Sequence, residues 1–203
     1  MSEKRFFSQD LFYHVYNRGN RKQTIFEQPG DYLHFLQRLE DFKKIYPVEL
    51  ISFCLMPNHF HFLIKPKEPR AISQLISRLC NSHSRFYNIK YETVGGLFQG
   101  RFKDKSVEKD EYFVHLSRYI HLNPLKFLPN STSQVEIIEF LEKYPWSSYR
   151  EFVSGNYTLV DNPESLLSLG YFSHKDPQGS YRKFVLDGIS QPHGVLPDDL
   201  LLE

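Results

Sequence analysis

Residues 49–65 read Glu-Leu-Ile-Ser-Phe-Cys-Leu-Met-Pro-Asn-His-Phe-His-Phe-Leu-Ile-Lys. Two runs rich in apolar and aromatic residues, 49–55 and 59–65, lie on either side of Met56-Pro57-Asn58. Proline and asparagine favour turns, whereas the flanking residue types favour strands. The stretch therefore predicts two antiparallel strands joined as a β-hairpin.

The second strand of this hairpin carries two histidines one residue apart. Successive side chains of a strand point to opposite faces, so His59 and His61 share one face. The alternating residues Phe60, Phe62 and Ile64 then point to the other face, where they can join a core. Two adjacent imidazoles can hold one metal ion. The same pattern fits two polar residues on a solvated strand face, and the pair alone does not decide between these interpretations.

Further strands and helices surround the hairpin in a regular order. Aromatic and β-branched residues predict strands, and apolar residues at helical spacing predict helices, the first of them capped by Asp31. The order β-α-β-β-α-β and a final helix predicts an α+β fold, a ferredoxin-like antiparallel sheet with helices on one face. The other face is then free to carry a site. Besides the hairpin, the predicted elements are strands over 11–17 and 97–107 and helices over 30–46, 71–90 and 110–122.

The pattern changes after residue 128, which divides the chain into a domain over 1–128 and a C-terminal extension over 129–203. Residues 129–133 read as a loop, and residues 144–149 form an aromatic turn in which Trp146 is a packing anchor. Short helices are predicted over 162–169 and 177–187. We expect this small, mostly helical extension to pack on the core.

Composition and charge narrow the class of protein. The net charge is +1, but residues 1–126 hold 20 Lys and Arg against 13 Asp and Glu, whereas the remainder holds 5 against 11. A basic front section suits a phosphate-binding surface, although uneven solvated charge gives the same counts. Cys54 and Cys80 lie in apolar segments and are expected to be reduced core thiols. No bilayer-spanning run and no signal peptide are present, so we expect a cytoplasmic protein without a membrane partner.

The predicted helix over 110–122 places three polar side chains on one stripe. His115, Tyr119 and Asn123 are four residues apart, whereas the buried stripe consists of other residues, among them Leu116 and Ile120. The Asn123 amide oxygen can then face the same site as the two histidines. Two imidazole nitrogens and one amide oxygen leave coordination positions open, which suits a catalytic Mg²⁺ or Mn²⁺ and does not exclude Zn²⁺. A tyrosine that attacks a phosphodiester would store its energy as a phosphotyrosine.

Several motifs in this order resemble those of the REP-associated tyrosine transposases, which belong to the single-tyrosine, His-hydrophobe-His transposases of bacterial insertion sequences. The resemblance covers roughly residues 10–155 and rests on residues 56–61, 98–103 and 118–124. It implies a ferredoxin-like nuclease domain acting on single-stranded DNA, as a monomer or a homodimer. It also implies that His59, His61 and Asn123 bind the metal and that Tyr119 is the nucleophile.

The resemblance further implies strand cleavage with a 5′-phosphotyrosine link and a free 3′-hydroxyl, followed by strand transfer on hairpin-forming DNA. Two alternatives stay open. The chain can be a catalytically silent host protein that binds palindromic repeats, or a metal-dependent hydrolase that uses activated water instead of Tyr119.

Basic residues near the predicted site are candidates for DNA contacts. Alternation along the predicted fourth strand puts three of them on one face, and two more follow the histidine strand. Two others lie in the loop after the first strand, and one precedes the tyrosine, where it either contacts a phosphate or is simply exposed. Ordinary solvated side chains are the alternative for each. These candidates are Arg18, Arg21, Lys65, Lys67, Arg101, Lys103, Lys105 and Arg118.

Overall fold

A computed structural model describes residues 5–190 and contains a four-stranded antiparallel sheet with helices on both faces. The strands lie in the order β2-β3-β1-β4. The α+β fold class is therefore confirmed. The strands are β1 (Phe12–Arg18), β2 (Val48–Met56), β3 (His59–Pro66) and β4 (Lys103–Val107).

The hairpin forms where the sequence predicts it. β2 and β3 pair along their length, and the carbonyl oxygen of Pro57 in the turn accepts hydrogen bonds from the backbone N–H groups of Ile25 and Phe26. β1 lies on the other side of β3, with Tyr16 opposite His61. The histidine strand β3 is therefore central in the sheet, and pairing with β2 on one side and β1 on the other fixes its register.

Two helices, α1 (Pro29–Ile45) and α2 (Ala71–Lys90), cover one face of the sheet. Their apolar faces pack against alternate residues of the central strands, including Phe60 and Phe62. Asp31 is not the capping residue itself. Gln28 occupies that position, and the Asp31 carboxylate accepts the backbone N–H of Gln28 from three residues inside the helix.

The second face of the sheet is not free, which corrects the expectation from the sequence. Helix α3 (Asp110–Leu122) lies against it, and the C-terminal helices pack on α3 around a second apolar core. α3 is therefore buried on nearly every side. The C-terminal helices are α4 (Gln134–Lys143), α5 (Tyr149–Ser154), α6 (Glu164–Leu167) and α7 (Pro177–Asp187).

β4 is shorter than the predicted strand over 97–107. Before Lys103, Phe98 makes only an isolated bridge to Gly19, and Gly100 adopts a positive φ of 81° that breaks an extended strand. Gly19 approaches the backbone so closely that a Cβ would lie 2.0 Å from the Gln23 carbonyl oxygen. The loop after β1 therefore depends on a glycine.

The C-terminal section also protects the outer edge of β2. The backbone N–H of Leu55 donates to the Trp146 carbonyl oxygen, and that of Ser148 donates to Phe53. The Trp146 ring stacks on Tyr32 at 4.5 Å, so its packing role is confirmed. The boundary at residue 128 stays a prediction. α4 and α5 were not predicted from the sequence.

Two further features concern the whole described region. Cys54 and Cys80 are buried free thiols, as expected. Within residues 5–190, no helix has the length and hydropathy needed to cross a bilayer.

Candidate active site

The two histidines of β3 lie on the face of the sheet that α3 covers. Their ring centroids are 5.0 Å apart and the rings are perpendicular. His61 is completely buried, whereas His59 is partly accessible. The predicted common face is therefore present, and it is enclosed rather than solvated.

Both imidazoles are oriented through their Nδ1 atoms. Nδ1 of His59 lies 2.6 Å from Oδ1 of Asn58, and Nδ1 of His61 lies 2.9 Å from Nε2 of His14 on β1. A proton on each Nδ1 leaves the lone pair on Nε2. Both Nε2 atoms are buried and have no hydrogen-bond partner. Metal-binding histidines are held in this way, through the ring nitrogen that does not face the ion.

Asn123 follows the last residue of α3 and faces the same place. Its Nδ2 donates to the Tyr119 carbonyl oxygen at 2.9 Å, which leaves Oδ1 buried and without a partner. The Asn123 side chain nevertheless lies close enough to His59 to favour its protonated form. Two imidazole nitrogens and one amide oxygen on neighbouring side chains are thus buried without partners, and this donor set fits a divalent metal.

The amide is essential to this donor set. Among residues 5–190, no group of three or more His, Cys, Asp or Glu side chains is arranged to hold a metal. A metal bound here by His59, His61 and Asn123 would therefore keep several open positions.

Tyr119 is a core residue, which corrects the expectation that it lies outside the buried stripe of α3. It is only 2% exposed. Its ring meets His61 edge-on, with centroids 5.6 Å apart, and lies 6.2 Å from the ring of His14. The single chain therefore brings Tyr119 into direct packing with His61.

Burial keeps both histidines neutral. Desolvation lowers the pKa of His59 to about 4, and the charges of Lys126 and Arg18 act in the same direction. Burial also lowers the pKa of His61 well below its usual range, with further contributions from His59 and His14. Neutral imidazoles are the forms that coordinate metals.

Lys126 is a residue of this site that the sequence analysis missed. It lies in the 3₁₀ turn Asn123–Phe127, and its Nζ is 5.5 Å from the centre of the Tyr119 ring. Desolvation lowers the pKa of its ammonium group. It lies seven residues after the tyrosine, or two helical turns, so the stripe of His115, Tyr119 and Asn123 would have pointed to it if the helix had been extended past Pro124.

His14 is the second missed residue. It occupies the same face of β1 as Tyr16 and is completely buried. A histidine within an aromatic strand is a weak signal for such a role. The contact with His61 depends on the pairing of β1 with β3.

Three of the predicted DNA-contact residues lie on the histidine face. Arg18 is opposite His59 on β1, and its guanidinium donates to Oε1 of Gln99. Lys103 and Lys105 are exposed on β4, opposite Tyr16 and His14. Adjacent strands are about 4.8 Å apart, so Lys103 lies two strands, or roughly 10 Å, from His61.

Two other predicted residues follow the histidines along β3 but lie further away. Lys65 is six residues after His59, about 20 Å along an extended strand, and its ammonium is 5.1 Å from the Phe12 ring centre. Lys67 pairs with Glu49. These residues therefore lie at the far end of the strand, not beside the histidines.

Arg118 is not exposed, which corrects one of the two interpretations of this residue, whereas its contact with a phosphate stays a prediction. It is 8% exposed, and its guanidinium lies 4.6 Å from the ring centre of Phe184 on α7. It also donates to Nδ1 of His115 at 2.7 Å. Arg118 therefore joins α3 to the C-terminal section.

Arg101 and Arg21 lie outside the strands of the sheet. Arg101 lies before β4 and lines a groove beside α2, so it does not share the strand face of Lys103 and Lys105. Arg21 is exposed in the loop after β1, with a positive φ of 52°.

The sheet and α3, which carry the histidines and Tyr119, lie in the first two thirds of the chain. The family model described as "Transposase IS200 like" matches residues 7–123, which include the sheet, α3 and Asn123. The chain therefore belongs to the IS200-like transposase family.

Two solved structures resemble this one. A REP-associated tyrosine transposase bound to a REP hairpin is 18% identical, with a TM-score of 0.58 over 79% of this chain and 91% of that one. A transposase candidate from Deinococcus radiodurans R1 is 19% identical, with a TM-score of 0.39 over 55% of this chain and 89% of that one. The TM-score of 0.58 with the first structure, at 18% identity, shows that the two proteins share a fold. No curated protein matches the chain significantly.

Proposed function

We propose that this transposase cleaves and rejoins single-stranded, hairpin-forming DNA through a covalent bond to Tyr119, with the help of a divalent metal. The observation that supports the proposal is a set of three buried, unpartnered ligand atoms on side chains near Tyr119: Nε2 of His59, Nε2 of His61 and Oδ1 of Asn123. Membership of the transposase family makes DNA the substrate.

His59, His61 and Asn123 would hold the ion, and Mg²⁺ or Mn²⁺ suits their mixture of nitrogen and oxygen donors. When bound, the ion would polarise a phosphodiester and stabilise the charge that develops on it. The protein fixes the geometry through Asn58 and His14, which orient the two imidazoles.

Tyr119 would act as the nucleophile. Its phenolic oxygen bonds to the phosphorus as the bond from phosphorus to the 3′-oxygen breaks, and the proton that the phenol loses is balanced by one that the leaving 3′-oxygen takes up. The products are a 5′-phosphotyrosine and a free 3′-hydroxyl. The phosphotyrosine retains the energy of the phosphodiester, so a second strand can be joined without ATP. Because Tyr119 is buried, neighbouring side chains must move when the scissile phosphate arrives.

The proposed partner is a DNA hairpin with a single-stranded extension. The structural relative is bound to a REP hairpin, and Arg18, Lys103 and Lys105 place positive charge around the histidine face of this chain. Such charges favour a phosphate backbone.

The test is a denaturing gel after incubation with single-stranded DNA from the palindromic repeats that flank the gene, with Mn²⁺ or Mg²⁺. A protein band shifted by covalent DNA is expected. It should disappear in Tyr119→Phe and weaken severely in His59→Ala, whereas Tyr112→Phe on the same helix should keep it.

An adduct that persists in Tyr119→Phe would contradict the assignment of the nucleophile. Strand cleavage without any adduct would favour a hydrolase that uses water. Tight hairpin binding without cleavage, across both metals, would favour a host DNA-binding protein.

A further inference from the structure

A groove of about 970 Å³ runs along the outer line where α1 and α2 meet, on the face of the sheet opposite to Tyr119. Its described lining includes no acidic residue. The arginines that line it are Arg5, Arg38, Arg70, Arg78, Arg85 and Arg101.

Three of these arginines are free to bind an anion. Arg70, Arg78 and Arg85 are exposed, and none of them makes an ion pair within residues 5–190. By contrast, Arg5 pairs with Asp104 and Arg38 pairs with Asp41. Helix α2 contains no Asp or Glu over its 20 residues. The groove therefore presents uncompensated positive charge from one rigid helix.

The spacing of the three free arginines suits a phosphate backbone. At 1.5 Å per residue, Arg78 lies about 12 Å along α2 from Arg70, and Arg85 lies about 10 Å further. Together they span about 22 Å, or roughly six base pairs of duplex. Between them the lining is polar and can donate hydrogen bonds to phosphate and sugar oxygens, through Gln74 and Asn81 among others.

A path of positive charge joins this groove to the active site. Arg101 lines the groove two residues before β4, the edge strand of the sheet. Lys103 and Lys105 of the same strand are exposed on the histidine face. A nucleic acid can therefore pass around the β4 edge from one face of the sheet to the other.

We propose that the α1–α2 groove binds the sugar-phosphate backbone of the hairpin stem, while the adjoining single strand passes the β4 edge to Tyr119. This inference rests on the proposed function, because it assumes a DNA substrate with a stem. The active site on the other face takes a single strand. The basic groove on the opposite face then has a role if the protein holds the double-stranded stem of the same DNA while the single strand is in the active site.

The test compares the binding of two fluorescent DNAs to the full chain: a hairpin with a single-stranded extension, and the extension alone. The variant is Arg78→Ala/Arg85→Ala. Its matched control is Arg150→Ala/Lys175→Ala, which removes two exposed charges from the C-terminal section. The logarithm of the binding constant falls by about 0.9 per phosphate contact for each tenfold rise in salt concentration. Loss of one contact therefore weakens binding nearly tenfold at about 0.1 M salt, relative to about 1 M salt.

We expect the arginine variant to bind the hairpin roughly 50- to 100-fold more weakly at 0.1 M salt, with a salt slope lower by about two. Its affinity for the extension alone should be unchanged, and so should the covalent adduct formed with the extension at saturation. The control should match the wild type, and Arg78→Lys/Arg85→Lys should recover most of the hairpin affinity.

Wild-type affinity and salt slope in the arginine variant would overturn the proposal. An equal loss for hairpin and extension would also overturn it, because the groove would then not be specific for the stem. Failure of the wild type to form any adduct with the extension would instead contradict the proposed chemistry and would leave the measurement of stem binding intact.

Discussion

Nδ1 of His61 lies 2.9 Å from Nε2 of His14, so a histidine of β1 orients the buried member of the histidine pair on β3. The two rings are stacked, with centroids 5.1 Å apart. This contact joins the neighbouring strands β1 and β3. It leaves Nε2 of His61 without a partner, and Nε2 of His59 and Oδ1 of Asn123 also have none. His14 is therefore a positioning residue for the proposed metal.

His14→Leu should weaken Mn²⁺ binding by about 10- to 100-fold, the effect usually produced by loss of such an outer partner. The reason is that His61 loses the group that fixes its ring. Calorimetric titration of the apoprotein measures the affinity directly. His174→Leu, which removes an exposed histidine, is the control. Equal affinities in the two variants would show that His14 does not orient the ligand.

Lys126→Met should slow the formation of the covalent adduct by roughly ten- to a hundredfold. A unit charge about 5.5 Å from the Tyr119 ring contributes on the order of 1–3 kcal/mol towards a phenolate at intermediate dielectric. The rate should also require higher pH, because the positive charge no longer favours loss of the phenolic proton. Single-turnover rates across pH measure both effects. Lys175→Met should leave the profile unchanged, and a Lys126→Met profile identical to the wild type would exclude this role.

The sequence predicted the hairpin, α1, α2 and α3 to within about two residues, because alternation and helical spacing are local signals. It failed at β4, where a glycine with positive φ interrupts the run. It also left the second sheet face open. The side chains that cover that face come from α3 and the C-terminal helices, and their docking depends on long-range packing that no local pattern contains.

The same contrast between local signals and long-range packing holds for the candidate site. His59, His61, Tyr119 and Asn123 were predicted from spacings of two and four residues, and the structure brings them together. His14 requires the register of neighbouring strands. The burial of Arg118 requires α7, which lies more than 50 residues further along the chain. Local spacing therefore predicted the residues that share an element and missed those that meet only through tertiary contacts.

Acidification should destabilise the fold through His83. Burial lowers its pKa to about 4, and its Nε2 donates to the Ile25 carbonyl oxygen at 2.7 Å. The unfolded chain, with a pKa near 6.5, binds this proton more readily, so stability is full above about pH 6.5 and falls as the pH drops towards about 4. The loss is about 2–3 kcal/mol over that window.

Urea unfolding at pH 7.5 and pH 5 measures this effect. His83→Gln keeps an amide donor for Ile25 but cannot take up the proton, so its stability should fall less on acidification than that of the wild type. Parallel losses in the two proteins would exclude His83 as the source.

Tyr181→Phe should lower the free energy of unfolding by about 1–3 kcal/mol. The Tyr181 hydroxyl on α7 lies 2.7 Å from Nδ1 of His121 and 3.0 Å from Oγ of Ser117, both on α3. Removing it leaves a buried imidazole nitrogen without a partner. Urea unfolding measures the difference, and Tyr171→Phe provides the control because that tyrosine is 51% exposed. A Tyr181 variant as stable as the control would show that this contact does not secure the C-terminal section.

Mixing two inactive variants should not restore the covalent adduct. Tyr119 packs against His61 of its own chain, and Asn123 bonds to the Tyr119 backbone, so one chain contains every proposed component. Tyr119→Phe retains the histidine pair, and His59→Ala retains the tyrosine.

If two chains exchanged their α3 helices, a mixture would combine an intact tyrosine with an intact metal site. It would then recover up to about a quarter to a half of the adduct, depending on how many mixed sites form. If each chain acts alone, as the packing of α3 on its own sheet indicates, the mixture stays inactive at every protein concentration. A denaturing gel of the mixture distinguishes the two arrangements, and wild-type protein diluted with Tyr119→Phe should lose activity only in proportion to the dilution.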